Sequence, residues 1–172
     1  MTRAFIGVGS NIEPAANVRK ALKAMSEEMR VIALSTVYQT EPEARPDQPP
    51  YYNCVVELET DAPPPELKRA LGAIEERLGR RRSEDRYAPR PIDLDLLVYD
   101  DLAMQSDELT LPDPEIERRA YLAVALAELA PELSLPGRNE TMAELARRLP
   151  RHGMRPLEEY TSALRKEVAD GS

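Results

Sequence analysis

Alternating apolar and polar positions predict strands in the first hundred residues of the chain. The predicted strands cover residues 3–8, 31–39, 51–60 and 92–99. In the third strand, the buried row is expected to consist of Cys54, Val56 and Leu58. Weaker patterns near residues 102–104 and 108–111 indicate two further short strands.

The strand at residues 92–99 combines an apolar face with an acidic one. Because side chains alternate along a strand, its polar face is expected to carry Asp93 and Asp95. The opposite, buried face is expected to carry Ile92, Leu94, Leu96 and Val98. The two carboxylates would then lie side by side, roughly 6–7 Å apart at Cα.

Apolar residues at helical spacing predict helices between and after these strands. They begin near Pro14 and near the prolines at 63–65, and the second ends at Gly79. Further helices are expected over about 115–129, 142–149 and 157–168. Residues 7–11, which contain Gly7 and Gly9, are expected to form a turn, and the proline-rich segment 40–50 is expected to be a stiff loop.

The order strand–helix–strand–strand–helix–strand predicts a ferredoxin-like α+β fold. Short connections favour an antiparallel sheet, with helices packed on one face. The length of 172 residues fits a single domain over residues 1–172, with a helical extension from about residue 150.

Composition narrows the function classes. A net charge of −8 argues against binding to nucleic acid or anionic membranes, and no apolar run is long enough to span a membrane. With one cysteine and one histidine, the chain contains neither an internal disulfide nor a histidine-based metal cluster. We therefore expect a cytoplasmic protein, a monomer, that binds small molecules.

Five arginines precede the acidic strand, at positions 80, 81, 82, 86 and 90. Guanidinium groups suit phosphate oxygens, and adjacent carboxylates suit Mg²⁺, which leaves room for substrate phosphates. Near the proline-rich loop, Tyr51 and Asn53 share a face and could stack on and hydrogen-bond a flat heterocycle. The residues alone leave a second interpretation open, in which these are ordinary surface side chains and a solvated basic loop.

Residues 86–95, RYAPRPIDLD, resemble the signature of the 6-hydroxymethyl-7,8-dihydropterin pyrophosphokinase family. Supporting similarity comes from Gly-Ser-Asn at 9–11, from Asp-Gln-Pro at 47–49, and from Tyr51 and Asn53. The matches extend from about residue 6 to residue 131. The resemblance implies transfer of pyrophosphate from ATP to the pterin hydroxymethyl group in folate biosynthesis, with ATP as co-substrate and two Mg²⁺ ions.

The resemblance also implies roles for individual residues. The implied catalytic residues are Arg80, Arg90, Asp93 and Asp95, of which Asp93 and Asp95 would hold metal. The implied pterin-binding residues are Thr40, Pro42, Tyr51, Asn53 and Tyr121. The implied ATP-binding residues are Glu75, Arg82, Tyr87, Leu96, Thr110 and Arg119. For Glu75, a solvated helix acid paired with arginine is the alternative.

Some positions differ from the family pattern. Ala88 replaces a glycine of the signature, Glu43-Ala44 replaces a hydrophobic residue and glycine, and acids at 108, 113 and 115 occupy a stretch that usually carries histidine. Two alternatives are therefore kept. One is a divergent member with an altered substrate or lost activity, and the other is a non-catalytic ferredoxin-like binding module.

Overall fold

The computed structural model describes residues 1–42, 47–79 and 91–170. The first half contains β1 (Thr2–Ser10), α1 (Pro14–Glu28), β2 (Arg30–Leu34), β3 (Tyr38–Thr40), β4 (Tyr51–Thr60) and α2 (Pro64–Arg77). The second half contains β5 (Asp93–Tyr99), β6 (Met104–Gln105), β7 (Thr110–Leu111), a 3-10 helix (Pro114–Glu117), α3 (Ala120–Leu129), α4 (Met142–Arg148), β8 (Met154–Pro156) and α5 (Glu158–Asp170).

One antiparallel sheet organises the described part of the chain. Five of its strands lie in the order β5-β1-β4-β3-β8, and β2 also pairs with β4. The central pair is continuous from Thr2 opposite Thr60 to Ser10 opposite Tyr52. The structure confirms the predicted ferredoxin-like α+β fold, with β2 and β3 together replacing the single strand expected over residues 31–39.

Helices cover both faces of the sheet, so the prediction of a one-sided arrangement is wrong. We call the face that carries Phe5, Gly7 and Gly9 the front face, and the opposite face the back face. Helices α1, α2 and α5 pack on the back face, and α3 and α4 pack on the front face. Consecutive buried residues in α3, from Leu122 to Leu126, explain the second layer, because a helix that is apolar on most sides must be covered on most sides.

The glycines near the N-terminus lie within β1, so the turn predicted over residues 7–11 is wrong in position. Strand β1 continues to Ser10, and only residues 11–13 bend before α1. A strand interior disfavours glycine, unless another group approaches the backbone closely. That approach is described below for Gly9.

An irregularity in β5 changes which residues face the core. Phe5 lies opposite Val98 and Ile6 opposite Leu96, which leaves Leu97 as an extra residue in β5. Such a bulge shifts the alternation of side chains by one position. Val98 therefore packs in the front cluster with Leu97, whereas the sequence pattern predicted it in the same row as Leu94 and Leu96.

The break between β2 and β3 is stabilised by three parts of the chain. The N–H of Ser35 donates to the carbonyl of Val55 on β4. The N–H of Thr36 donates to Glu128 on α3, and the N–H of Val37 donates to Thr161 on α5. Each of these donors is satisfied outside a regular strand, so the chain can change direction here at little cost.

Several predicted boundaries shift. The helix expected over about 115–129 is divided into the 3-10 helix and α3, and the extension from about residue 150 contains the unpredicted strand β8 before α5. The short strands expected near 102–104 and 108–111 correspond to β6 and β7. None of the helices in the described ranges is both long and apolar enough to cross a membrane.

Candidate active site

Gly9 lies between the acidic strand and the strand that carries Asn53. It is opposite Asn53 on β4 and opposite Asp93 on β5. Two strand spacings separate Asp93 from Asn53, about 10 Å at Cα. The antiparallel register therefore places a carboxylate and an amide on the same face of the sheet, on either side of a residue without a side chain.

The Asn53 amide lies against the backbone of Gly9. A Cβ atom on Gly9 would be 2.7 Å from Oδ1 of Asn53 and 4.0 Å from the ring of Tyr51. Both side chains thus converge on the front face at this glycine. Asn53 is 8% exposed, whereas Tyr51 is only partly buried, so a flat ring could contact the tyrosine while it hydrogen-bonds the amide.

Thr40 fixes the orientation of that amide. Nδ2 of Asn53 donates to Oγ1 of Thr40 over 2.7 Å, and Thr40 lies directly opposite Tyr51. Three of the five predicted pterin-binding residues are therefore adjacent. A fourth, Pro42, is partly buried two residues after Thr40.

Gln48, near the end of the proline-rich segment, contacts the residue that follows β1. Nδ2 of Asn11 donates to Oε1 of Gln48 over 3.1 Å. This contact joins the two short motifs, Gly-Ser-Asn and Asp-Gln-Pro, that are far apart in sequence. The interpretation that both belong to one site is therefore consistent with the geometry.

The predicted fifth pterin residue, Tyr121, lies on α3 at the front side of the sheet. It packs against the front cluster, and its hydroxyl accepts a hydrogen bond from Nη1 of Arg119 over 3.0 Å. Arg119 also pairs with Glu115, with Nε 2.6 Å from Oε2. The guanidinium thus links the start of α3 to the 3-10 helix and orients the tyrosine.

The two aspartates occupy the outer strand of the sheet. Asp93 is partly buried and Asp95 is exposed, and their register opposite Gly9 and Gly7 places both on the front face. Glu75 of α2 accepts a hydrogen bond from the N–H of Leu94 over 2.8 Å. Its carboxylate therefore reaches the strand edge between the two aspartates, so Glu75 helps to hold β5 in place.

The donor set of Asp93 and Asp95 is chemically suited to Mg²⁺. Carboxylate oxygens are hard ligands, and Mg²⁺ commonly uses one or two of them together with water and substrate phosphates. Within residues 1–42, 47–79 and 91–170, there is no group of three or more acidic, histidine or cysteine side chains that could enclose a metal ion.

The residues predicted to bind ATP differ in how accessible their side chains are. The side chain of Leu96 is 5% exposed and packs in the back cluster, so only its main chain at the strand edge is left for a nucleotide. Thr110 is exposed on β7, opposite Gln105. The predicted residues Arg80, Arg82, Tyr87 and Arg90 lie outside the described residues.

The acidic stretch before α3 is largely engaged in local contacts. Asp113 caps the 3-10 helix, with Oδ1 accepting from the N–H of Glu115 over 2.9 Å, and burial raises the pKa of Asp113. The hydrogen bond from Arg119 lowers the pKa of Glu115. The main-chain carbonyl of Glu108 accepts a hydrogen bond from Nζ of Lys68. The negative charge of Glu115 in particular is balanced by Arg119.

Comparison with known protein families shows to which family the chain belongs. Residues 5–131 match the family model described as 7,8-dihydro-6-hydroxymethylpterin-pyrophosphokinase, abbreviated HPPK. The chain belongs to the HPPK family. The resemblance inferred from residues 86–95 is therefore confirmed, and nothing in the comparisons supports either alternative.

Relatives within the HPPK family cover nearly the whole chain. A Methylorubrum extorquens protein named 2-amino-4-hydroxy-6-hydroxymethyldihydropteridine pyrophosphokinase is 38% identical over 161 residues, which are 92% of this chain and 100% of the relative. A Haemophilus influenzae protein of the same name is 34% identical over 157 residues, with 90% and 97% covered.

Solved structures support the HPPK fold. The Plasmodium falciparum HPPK-DHPS structure with pteroate aligns with a TM-score of 0.70 at 14% identity. The alignment covers 98% of this chain but 44% of the other, so this chain spans less than half of that protein's length. At this identity the likeness concerns the fold alone.

The sequence pattern predicts a turn at Gly9 and does not reveal its contact with Asn53. In the structure, the absence of a side chain at this position leaves room for the Asn53 amide. The available signal was the presence of glycine at alternate positions, 7 and 9, within an otherwise strand-like segment.

Proposed function

We propose that this chain transfers the pyrophosphoryl group of ATP to the hydroxymethyl group of 6-hydroxymethyl-7,8-dihydropterin, in folate biosynthesis, and that it requires Mg²⁺. The observation that carries the proposal is the row Asp93–Gly9–Asn53 across the front face. This row supports the proposal because carboxylates suited to Mg²⁺ and an amide suited to a heterocycle lie about 10 Å apart at Cα, a separation that a pterin with a short side chain can span.

Pterin binding is assigned to the Tyr51, Asn53 and Thr40 group, with Pro42 and Tyr121. Asn53 presents Oδ1 in a fixed orientation, because Nδ2 is held by Thr40. Tyr51 provides an aromatic surface beside it. A polar group held in this way adds specificity, since a ligand without the matching donor leaves a buried acceptor unpaired.

Phosphate chemistry is assigned to the opposite side of Gly9. The hydroxymethyl oxygen forms a bond to the β-phosphorus of ATP, the bond between the β-phosphorus and the bridging oxygen to the α-phosphate breaks, and AMP leaves while the hydroxyl proton is released. Asp93 and Asp95 would hold Mg²⁺, which neutralises phosphate charge when bound. Arg80 and Arg90 are proposed to hold the phosphates, and ATP contacts are proposed for Glu75, Arg82, Tyr87, Leu96 (through its main chain), Thr110 and Arg119.

Positioning accounts for most of the catalysis in this proposal. Phosphoryl transfer depends chiefly on orientation and on neutralisation of charge. The chain's own residues orient the pterin from one side and the phosphates from the other. We further propose that residues 1–172 act as one domain, as a monomer in the cytoplasm, which sedimentation and cell fractionation would test.

The test is AMP release from ATP, measured with and without the pterin and over a series of Mg²⁺ concentrations. We expect AMP only when both the pterin and Mg²⁺ are present. The variant Asp95→Asn should lower kcat by about two orders of magnitude or more, because removal of one charged group at such a site commonly has that effect.

The matched control is Asp101→Asn, an exposed acid in the turn at the other end of β5. It should retain wild-type activity. Pterin-independent AMP, or a wild-type rate in Asp95→Asn, would contradict the proposal. Circular dichroism of each variant verifies that the fold is unchanged.

A further inference from the structure

The C-terminal segment adds structure beyond residues 5–131, where the family match ends. Strand β8 pairs with β3, with Pro156 opposite Tyr38 and Met154 opposite Thr40. Thr40 is therefore held between Tyr51 on one side and Met154 on the other. The residue that orients Asn53 is thus positioned partly by the end of the chain.

Helix α5 fixes the residue immediately before β3. Thr161, which is 2% exposed, accepts a hydrogen bond at Oγ1 from the N–H of Val37 over 2.9 Å. The same hydroxyl donates to the carbonyl of Leu157 over 2.7 Å. The N–H of Leu157 in turn donates to the carbonyl of Val37 over 2.8 Å. Both main-chain groups of Val37 are therefore bonded to the C-terminal segment.

Further contacts of α5 extend this support along the same region. Nε of Arg165 donates to the carbonyl of Leu34 over 3.1 Å. The ring of Tyr160 packs edge-on against Tyr52, 5.4 Å between centroids, and its hydroxyl donates to the carbonyl of Ala15 over 2.6 Å. The segment from Leu34 to Thr40 is consequently supported by residues 154–165.

We propose that residues 154–170 are a positioning element for the pterin site, and that Thr161 is its principal positioning residue. This inference rests on the proposed function, in which Thr40 and Asn53 bind the pterin. Thr161 holds Val37, Val37 sets the start of β3, and β3 delivers Oγ1 of Thr40 to the Asn53 amide. Because α5 packs on the back face and Asn53 lies on the front face, Thr161 acts through the sheet and does not contact substrate.

This arrangement predicts an effect on one substrate only. The Asp93–Asp95 strand lies at the other edge of the sheet, separated from β3 by both β1 and β4. Loosening β3 should therefore raise KM for the pterin and leave KM for ATP unchanged. A merely structural role would lower the amount of active protein and leave both KM values as they are.

The test compares Thr161→Val with Thr161→Ser. Valine keeps the shape but removes the acceptor for the Val37 N–H, whereas serine keeps the hydroxyl. We expect Thr161→Val to raise KM for the pterin about three- to tenfold, the range that corresponds to loss of one hydrogen bond. Thr161→Ser should restore the wild-type value. Hydrogen exchange should quicken in Thr161→Val at residues 37–40 but not in β1 or β5.

Two control variants separate positioning from general destabilisation. Glu167→Gln removes an exposed ion pair between α5 and Arg19 of α1, away from β3. Thr141→Ala removes the capping box of α4 and so destabilises the protein elsewhere. Neither should change KM for the pterin.

Each outcome has a defined meaning. An unchanged pterin KM in folded Thr161→Val, or an equal rise in KM for ATP, overturns the positioning role. Absence of pterin-dependent AMP in the wild-type chain overturns the proposed function instead. If Thr161→Val does not fold, Arg165→Ala is measured in the same way. It should raise KM for the pterin alone, and an unchanged value there overturns the inference.

Discussion

Gly9 and Asn53 lie opposite each other on β1 and β4, so close that a Cβ atom on Gly9 would be 2.7 Å from Oδ1 of Asn53. No side chain other than hydrogen fits at position 9 while the amide keeps its place. The amide cannot retreat freely either, because its Nδ2 is bonded to Thr40. The identity of residue 9 therefore controls the orientation of the group assigned to pterin recognition.

Gly9→Ala should weaken pterin binding. The added methyl group forces the Asn53 amide away from β1, which breaks or distorts its hydrogen bond to Thr40. We expect the Kd for the pterin, measured by calorimetry, to rise about tenfold or more, as befits the loss of at least one buried hydrogen bond. The Kd for ATP with Mg²⁺ should stay near the wild-type value, and an unchanged pterin Kd would disprove the assigned role of Gly9.

Gly72→Ala is the contrasting substitution and should stabilise the protein. Gly72 lies inside α2, and a Cβ atom there would meet nothing within 4 Å. Alanine in a helix interior is more favourable than glycine by about 0.5–1 kcal/mol. Thermal unfolding should therefore occur at a higher temperature with unchanged kcat and KM. A lower Tm would show that α2 is packed differently from the structure described.

Thr40→Val should lower the stability of the protein and weaken pterin binding, and it should leave ATP binding unchanged. Nδ2 of Asn53, which is buried, would lose its acceptor, at a cost of about 1–3 kcal/mol in the free energy of unfolding. KM for the pterin should rise because the amide is free to rotate, while KM for ATP should not change. Thr40→Ser retains the hydroxyl and serves as the matched control. Equal behaviour of the two variants in urea unfolding and in kinetics would exclude the proposed hydrogen bond.

Much of this architecture could be predicted from local pattern. Helices α1 and α2 follow directly from the spacing of Val18, Leu22, Leu67, Leu71 and their neighbours, because amphipathic periodicity is a property of the segment itself. The acidic pair on β5 was found for the same reason. Alternation alone places Asp93 and Asp95 on one face.

The features that escaped prediction depend on distant partners. The bulge at Leu97 is visible only in the register of β5 with β1. After Leu34, the main-chain N–H groups of the break between β2 and β3 are bonded by Glu128 and Thr161, more than ninety residues away. Strand β8 is three residues long and exists through its pairing with β3. The contact between Gly9 and Asn53 likewise depends on the register of β1 with β4.

The ion pair of Glu115 with Arg119 predicts a pH-dependent difference in stability. The pKa of Glu115 in the folded protein lies below its ordinary value of 4.5, because Arg119 stabilises the carboxylate. The pair therefore contributes stability above that ordinary value, and the contribution is lost as pH falls through the lowered pKa. Nearby Asp113, whose pKa is raised by burial, has the opposite dependence.

Glu115→Gln should accordingly be less stable than the wild type at pH 7. The two side chains are 37% and 38% exposed, so solvent screening limits the difference to about 0.2–1 kcal/mol. The charge of Glu115 helps to raise the pKa of Asp113, so the comparison is made in an Asp113→Asn background, in which that titration is absent. Urea unfolding should show the difference shrinking toward zero at strongly acidic pH and at high salt. A constant difference between pH 3 and pH 7 would rule out the ion pair as its source.

Cys54 should be unreactive in the folded protein and should report on ligand binding. Its thiol is 2% exposed in the back cluster, and burial, with a smaller contribution from Glu128, raises its pKa to about 12. Since the thiolate is the reactive form, a thiol reagent at pH 8 should modify Cys54 only when the sheet opens. Cys54 neighbours Asn53 on β4, so pterin binding should stabilise the region that must open.

We expect labelling of Cys54 to be slow in the free protein, slower with the pterin, and fast in denaturant. Asp101→Cys supplies an exposed thiol for comparison, and Cys54→Ala should take up no reagent. Rapid labelling of native wild-type protein would mean that β4 is far less protected than its position at the centre of the sheet indicates.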